Sequence, residues 1–193
     1  FYDLHNNRLQ DIAVKILDDT GFDPYLENEG TLYLLHYLLI KNVETASIYK
    51  IAFLNFSKEK TEFTVNNFKT FIQRECNKEG IDLTDKVLSN DVKVFLKNYI
   101  PSPEKNNAYE DNYSGLFYDL GYINKFNSNS GESKYRFNIN DGKYLPEAIF
   151  LYVLLDVFGE ETSINLESIR EKVSSNFLME RHGTYEMIKR LTE

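Results

Sequence analysis

Four side chains in the N-terminal part have the chemistry of metal ligands. They are the carboxylates of Asp23, Glu27 and Glu29 and the imidazole of His36. Carboxylate oxygen suits hard divalent ions, and imidazole suits many transition metals. The structural alternative is that Asp23 caps a turn through Pro24, that the glutamates lie near a helix N-terminus, and that His36 packs in an apolar helix. We favour this alternative and predict no metal site.

A second set of residues follows the order seen in metal-dependent nucleases. Asp119 precedes Glu132 and Lys134, and the latter two lie at a predicted strand. Nicking DNA requires activated water and a stabilised phosphoryl transition state, which a metal held by carboxylates and a nearby Lys can supply. Because short patterns of this kind arise by chance in charged chains, the alternative is an ordinary solvated hairpin.

A third set has the chemistry of a nucleic-acid interface. Lys contacts phosphate or guanine, and Asn pairs bidentately with adenine. Cations on a hairpin would add backbone contacts that position the DNA. A solvated helix face or a surface for a protein partner is the alternative. The candidate residues are Lys86, Asn90, Lys93 and Lys97 on one predicted helix, with Lys125 and Arg136, beside Lys134, on the hairpin.

Several other patterns of catalysis do not occur in the sequence. It has no Gly-rich phosphate loop, no Ser-His-Asp order of recognisable spacing and no Cys-His zinc pattern. The single cysteine, Cys76, cannot form an intrachain disulfide, which favours a reducing cytoplasmic setting. We therefore expect no cofactor.

The net charge of -8 argues against wholesale wrapping of nucleic acid. The acidic excess lies at the two ends, whereas residues 43–143 hold 14 acids and 14 bases. Because cellular salt screens charges over about 8 Å, a local basic face in this middle part can still meet DNA. The longest apolar stretch, residues 32–40, is too short to span a membrane.

The spacing of apolar residues predicts helices that would position the N-terminal candidates. It predicts an amphipathic helix over residues 8–19, a strongly apolar helix over 32–40 and a third helix over 44–55. Residues 56–60 are predicted to be a polar linker.

From residue 61 the pattern indicates a helix-turn-helix module with a wing. Thr64 is a suitable N-cap for one helix, and Asp82 or Thr84 for the next. Residues 103–114 are predicted to be an irregular loop. Residues 116–137 then predict a hairpin with a flexible tip, which would form the wing.

The C-terminal part repeats this order in outline. Pro146 starts a helix with a wide apolar face, and further helices are predicted over 166–173 and near 184–191. The wing of this second module would lie beyond Glu193, so the module is expected to be incomplete.

These elements together predict a mainly α fold with small β wings. An N-terminal helical pair over residues 1–60 would precede a winged-helix-like module over 61–143 and a second, incomplete one over 144–193.

One long string resembles a known family. Residues 21–37 read GFDPYLENEGTLYLLHY, which is similar to the signature of the bacterial domain-of-unknown-function family 4007. The matching motif residues are Asp23, Pro24, Tyr25, Glu27, Gly30, Thr31 and His36. Further similar blocks include residues 62–64 and 145–150. Asn90 stands where the family shows Arg, which weakens a DNA contact carried over to that position.

The resemblance implies a context for the function. Family members are typically encoded beside a sulfurtransferase resembling phosphoadenosine-phosphosulfate reductase, and some belong to DNA phosphorothioate-modification and defence systems, where a nicking role has been attached to the family. The resemblance identifies no catalytic residue.

We predict a DNA-binding accessory component of such a system, located in the cytoplasm. A protein-interaction scaffold that docks a sulfurtransferase or an ATPase is the first alternative, and the acidic ends suit it. A metal-dependent nickase is the second.

Overall fold

The computed structural model describes residues 2–3, 8–9, 11–42, 47–101, 115–127 and 131–193. Its α-helices are α1 (Asp11–Leu17), α2 (Glu29–Lys41), α3 (Ser47–Lys50), α4 (Ser57–Glu59), α5 (Val65–Lys78), α6 (Asp85–Tyr99), α7 (Glu147–Phe158), α8 (Leu166–Lys172) and α9 (Arg181–Thr192). Its strands are β1 (Tyr2–Asp3), β2 (Arg8–Leu9), β3 (Glu62–Phe63), β4 (Ile123–Asn127) and β5 (Ser133–Phe137). The mainly α fold with small antiparallel sheets is therefore confirmed. Within these ranges, no helix has the length and apolarity needed to cross a bilayer.

The first two helices differ from their predicted bounds at their N-terminal ends. The first helix was predicted from residue 8, but Arg8–Leu9 pairs with Tyr2–Asp3 as an antiparallel ladder, so α1 begins at Asp11. Helix α2 starts before the apolar run because the Asn28 side chain accepts a hydrogen bond from the Gly30 amide at 2.8 Å.

The predicted polar linker over residues 56–60 is wrong. A continuous helix runs through α3, a π-helical segment over Ile51–Phe56, and α4. The Phe56 side chain is 1% exposed, and the Ser57 hydroxyl donates to the Phe53 carbonyl at 2.7 Å. Tertiary burial of Phe56 therefore outweighs the polar residues that follow it. Residues 44–46, at the start of the helix predicted over 44–55, lie outside the described part.

The middle of the chain forms a helix pair and a small antiparallel sheet. Thr64 caps α5 in a capping box with Asn67, and Thr84 caps α6. The sheet has the order β3-β5-β4, in which β4 and β5 form the predicted hairpin. The hairpin is shorter than predicted, because Tyr118–Leu120 forms a 3-10 turn. The predicted loop at 103–114 lies outside the described residues, as do hairpin-tip residues 128–130.

The C-terminal helices follow the predicted order. Helix α7 begins after Pro146 and ends at Phe158, and its C-cap Gly159 adopts a positive φ of 58°. Helix α8 is followed by a 3-10 turn over Ser174–Phe177 and then by α9, which starts at Arg181, earlier than predicted. A parallel bridge between Asn140 and Met179 joins this part to the segment after β5.

One aromatic core runs through the described helices and the three-stranded sheet. The aromatic side chains among its largest fully buried members are Phe53, Phe56, Phe63, Phe68, Phe95, Tyr99, Phe137, Phe150 and Phe177. Burying each such ring contributes about 1.5–3 kcal/mol. These rings come from all three predicted segments, whose boundaries at residues 60 and 143 stay a prediction.

Replacing Phe56 tests the importance of the last helical turn, which continues past the helix predicted over 44–55. Phe56→Ala removes a ring that packs 5.0 Å from Phe68 and 5.2 Å from Phe63, centroid to centroid. We expect a loss of about 3–5 kcal/mol in the free energy of unfolding, measured with urea. Phe22→Ala is the control, since Phe22 is 89% exposed, and should change stability by less than about 0.5 kcal/mol. Similar small losses of stability in both variants would contradict the packing of Phe56 in the core.

Candidate functional site

The motif loop before α2 is organised by the Asp23 carboxylate. Its two oxygens accept hydrogen bonds from the amides of Glu27 at 2.9 Å and Asn28 at 3.1 Å. Burial opposes ionisation, but these amides and the Thr31 side chain outweigh it and lower the pKa of Asp23. The prediction that Asp23 caps this turn is confirmed. Pro24 is half-buried.

Two aromatic side chains project from the same loop into solvent. Phe22 is 89% exposed and Tyr25 is 84% exposed. Their backbone is held in place, because the Phe22 amide bonds to the Lys15 carbonyl at 3.0 Å and Leu26 adopts a left-handed φ of 56°. The loop thus presents two apolar rings on an ordered support.

His36 lies at the centre of the aromatic core. It is fully buried, with Nε2 2.8 Å from the Asn176 carbonyl and Nδ1 2.9 Å from the Tyr99 hydroxyl. Because a carbonyl only accepts, Nε2 carries the proton, and Nδ1 accepts from Tyr99. Burial lowers the pKa of His36 to about 4, against a smaller opposing effect of the Asn176 hydrogen bond. His36 is therefore neutral at physiological pH.

The metal interpretation of the motif finds no support in this geometry. Both ring nitrogens of His36 are occupied by protein partners, and both Asp23 oxygens bind backbone amides. Glu27 and Glu29 are exposed. No group of three or more His, Cys, Asp or Glu side chains among the described residues is arranged to hold a metal ion. Gly30 serves packing instead, since an added Cβ would lie 3.6 Å from Pro146 and 2.9 Å from the Asn28 side chain.

The candidate nucleic-acid residues on α6 form one exposed stripe. Lys86, Asn90, Lys93 and Lys97 follow a spacing of four, three and four residues, which keeps them on one face. All four are exposed, while the opposite face of α6 is buried in the core. None of the three lysines forms an ion pair within the described part of the chain. The stripe is thus exposed to solvent along α6.

Neighbouring polar groups are already engaged within the protein. Lys69 of α5 pairs with Asp85 at 2.6 Å and also donates to Ser89 at 2.9 Å, which ties α5 to α6. Asn98, also on α6, is half-buried and donates its amide to the Tyr49 hydroxyl. These contacts separate structural polar residues from the exposed stripe.

The hairpin residues do not share one face. Arg136 and Lys134 lie on the outer face of the sheet, whereas Lys125 pairs in register with Tyr135, whose ring faces the core. Arg136 is paired with Glu62 of β3, with Nε 3.0 Å from Oε1, and lies over the Phe126 ring at 5.2 Å. Arg136 is thus engaged in an ion pair between two strands. Lys125 is exposed, and Lys134 is half-exposed.

The three candidate catalytic residues are dispersed along the hairpin. Asp119 lies in the 3-10 turn before β4, while Glu132 stands beside the hairpin tip and Lys134 lies in β5. Strand β4, which is about 13 Å long, lies between Asp119 and the hairpin tip beside Glu132. The register does not bring Asp119 together with Glu132.

Sequence reasoning missed an ion-pair cluster that joins α2 to α7. The Asp156 carboxylate accepts from Lys41 at 2.8 and 2.6 Å and from the Tyr37 hydroxyl. Partial burial opposes ionisation of Asp156, but the bonds from Lys41 and Tyr37 outweigh it and lower the pKa. The signal was an acid, Asp156, that directly follows Leu154 and Leu155 near the end of a mostly apolar helix.

The described elements define a mainly helical class of protein with a small three-stranded antiparallel sheet. The family described as "Protein of unknown function (DUF4007)" matches residues 3–193, and the chain belongs to this family.

Two solved structures share this fold. The first is a crystal structure of magnesium ion-bound SspB, with 24% identity and a TM-score of 0.78, covering 94% of this chain and 55% of that chain. The second is another SspB crystal structure, with 23% identity and a TM-score of 0.75, covering 99% of this chain and 59% of that chain. This chain therefore spans less than two thirds of those SspB chains. No match was found among curated proteins.

The pH dependence of stability tests the neutral state of His36. Its pKa is about 4 in the folded chain and about 6.5 when unfolded, so the unfolded chain takes up the proton first as pH falls. The contribution of His36 is full above pH 6.5 and should fall by about 3 kcal/mol by pH 4. Urea unfolding of the wild type and of His36→Gln at pH 7.5 and 4.5 should show the wild-type advantage shrinking.

If the Gln variant does not fold, an NMR titration of the His36 ring in the wild type gives the answer. Protonation of the folded chain near pH 6.5 would contradict the burial and hydrogen bonding described above.

Proposed function

We propose that this chain is a DNA-binding accessory component of a bacterial DNA phosphorothioate-modification or related defence system. Membership of the DUF4007 family supports the choice of this system, because the resemblance to that family implies an association with DNA phosphorothioate modification. The exposed stripe of Lys86, Asn90, Lys93 and Lys97 on α6 carries the proposal for DNA binding. Its three lysines are unpaired within the described residues, although the whole chain has a net charge of -8.

The order of elements around α6 supports a winged-helix interpretation. Helix α3–α4, strand β3, helices α5 and α6, and strands β4 and β5 follow one another, and β5 lies between β3 and β4. In helix-turn-helix modules the second helix of the pair enters the major groove. We infer that α6 would be that helix and that the β4–β5 hairpin would be the wing.

The chemistry of the stripe suits both affinity and discrimination. Lys86, Lys93 and Lys97 would neutralise phosphates or contact guanine, and Asn90 would pair with adenine. Val94 is 57% exposed on the same helix and could contact a thymine methyl group. Arg136 contributes less than the sequence alone predicts, because Glu62 already neutralises it.

Charge reversal on α6 tests the proposal. Lys93→Glu should weaken binding of a short duplex by about tenfold or more at 50 mM salt, because an attraction to phosphate becomes a repulsion. Wild-type binding should also weaken steeply between about 50 and 200 mM salt, which is measured by fluorescence anisotropy. Lys15→Glu, the same charge change on α1, should leave affinity within about twofold. Equal effects of the two variants, or no binding at either salt, would reject a DNA interface on α6.

A protein-interaction scaffold is the second candidate, and one observation favours it. Phe22 and Tyr25 are exposed on an ordered loop, and exposed aromatic residues are typical centres of protein interfaces. A sulfurtransferase or an ATPase of the same system is the proposed partner.

The loop can be tested against that partner. The double variant Phe22→Ala and Tyr25→Ala should weaken binding of a sulfurtransferase of the same system by about tenfold or more, measured by calorimetry, with DNA affinity unchanged. Tyr144→Ala is the control, since Tyr144 is 72% exposed elsewhere. Unchanged partner affinity in the double variant would remove the loop from the interface.

A further inference from the structure

A cleft lies between the helix that ends with α4 and the C-terminal helices α8 and α9. Its volume is about 650 Å³, and it is open to solvent. Three cationic side chains from three separate elements line it: Lys58 of α4, Arg170 of α8 and Arg181 of α9. The hydroxyl-bearing residues Thr61 and Ser175 lie in the same wall.

The Glu167 carboxylate lines the same cleft as the three cations. Arg170 donates to Glu167 Oε1 through Nε at 3.0 Å and through Nη2. The hydrogen bonds from Arg170 lower the pKa of Glu167, and the positive charges of Arg181 and Lys58 lower it further. Neither Lys58 nor Arg181 forms an ion pair with any residue that the structure describes. Arg170 alone of the three cations is paired, with Glu167, and Glu180 also lines the cleft.

The N-terminus of α9 adds a further positive potential. The Glu180 side chain at the N-cap makes no capping hydrogen bond, and the first turn contains no acidic residue but begins with Arg181. A cation at this end opposes the helix dipole. Helix stability therefore does not explain Arg181, whereas an anion held there would benefit from both the side chain and the dipole.

We propose that this cleft binds a phosphate group, with Arg170, Arg181 and Lys58 as the contacting cations. The planar guanidinium groups suit paired phosphate oxygens, and the lysine supplies a compact charge. Glu167 occupies the position of the anion in the unliganded chain and competes with it. The site is separate from the α6 stripe and does not rest on it. A backbone segment of DNA and a free phosphate share this chemistry.

The experiment uses the intact chain labelled with ¹⁵N and titrated at constant ionic strength with inorganic phosphate or, separately, with a short duplex. Amide signals of residues 181–184 report on the cleft. Arg181→Gln should weaken binding by about fivefold or more, and Glu167→Gln should strengthen it by a similar factor, because one removes a cation and the other a competing anion. Lys189→Gln, with the same charge change farther along α9 and outside the cleft, should leave affinity unchanged.

Phosphate affinity that falls in Arg181→Gln and rises in Glu167→Gln identifies the cleft as the binding site. Shifts with inorganic phosphate alone would assign the cleft to a free phosphate, and shifts with the duplex would assign it to a DNA backbone. No shift in either titration, or equal changes in Arg181→Gln and Lys189→Gln, would overturn the proposal. Repeating both titrations in Lys93→Glu separates the two surfaces. If this variant loses duplex affinity but inorganic phosphate still shifts the cleft signals, phosphate binding in the cleft is independent of the α6 stripe.

Discussion

The buried imidazole of His36 is the polar contact on which the arrangement of the helices depends. Through Tyr99 it joins α2 to α6, and through the Asn176 carbonyl it joins both to the turn before α9. Leaving either ring nitrogen of His36 unpaired in this aromatic core would cost about 1–3 kcal/mol, because a buried polar group without a partner is destabilising. Any arrangement of these elements that separated the three partners would therefore be penalised.

Around this contact, aromatic packing occupies the interior and leaves function to the surface. The Phe53 ring lies 4.6 Å from the His36 ring and 5.2 Å from Tyr99, centroid to centroid. The same packing buries one face of α6 and exposes the other, so the position of the lysine stripe follows from the core. Helices α2 and α7 are held together in addition by the Asp156 carboxylate.

Local pairing decides which charges are available for binding in a chain whose net charge is -8. Lys69, Arg74 and Arg136 each contact a carboxylate of the same chain. Among the described residues, the α6 lysines form no ion pair, and neither do Lys58 and Arg181 of the cleft, whereas Arg170 is paired with Glu167. Two small surfaces of positive charge thus remain on an acidic protein, and screening by salt keeps the distant acidic ends from cancelling them.

The sequence by itself determined the elements whose signals are local. Apolar spacing and the caps Thr64 and Thr84 predicted α5 and α6, and the turn-rich tract predicted the hairpin. Only the tertiary structure decided what depends on distant partners: the burial of Phe56, the pairing of Arg136 with Glu62, and the meeting of the α8–α9 cations with Lys58. Such contacts bring together residues far apart in the chain, and no local propensity or spacing records them.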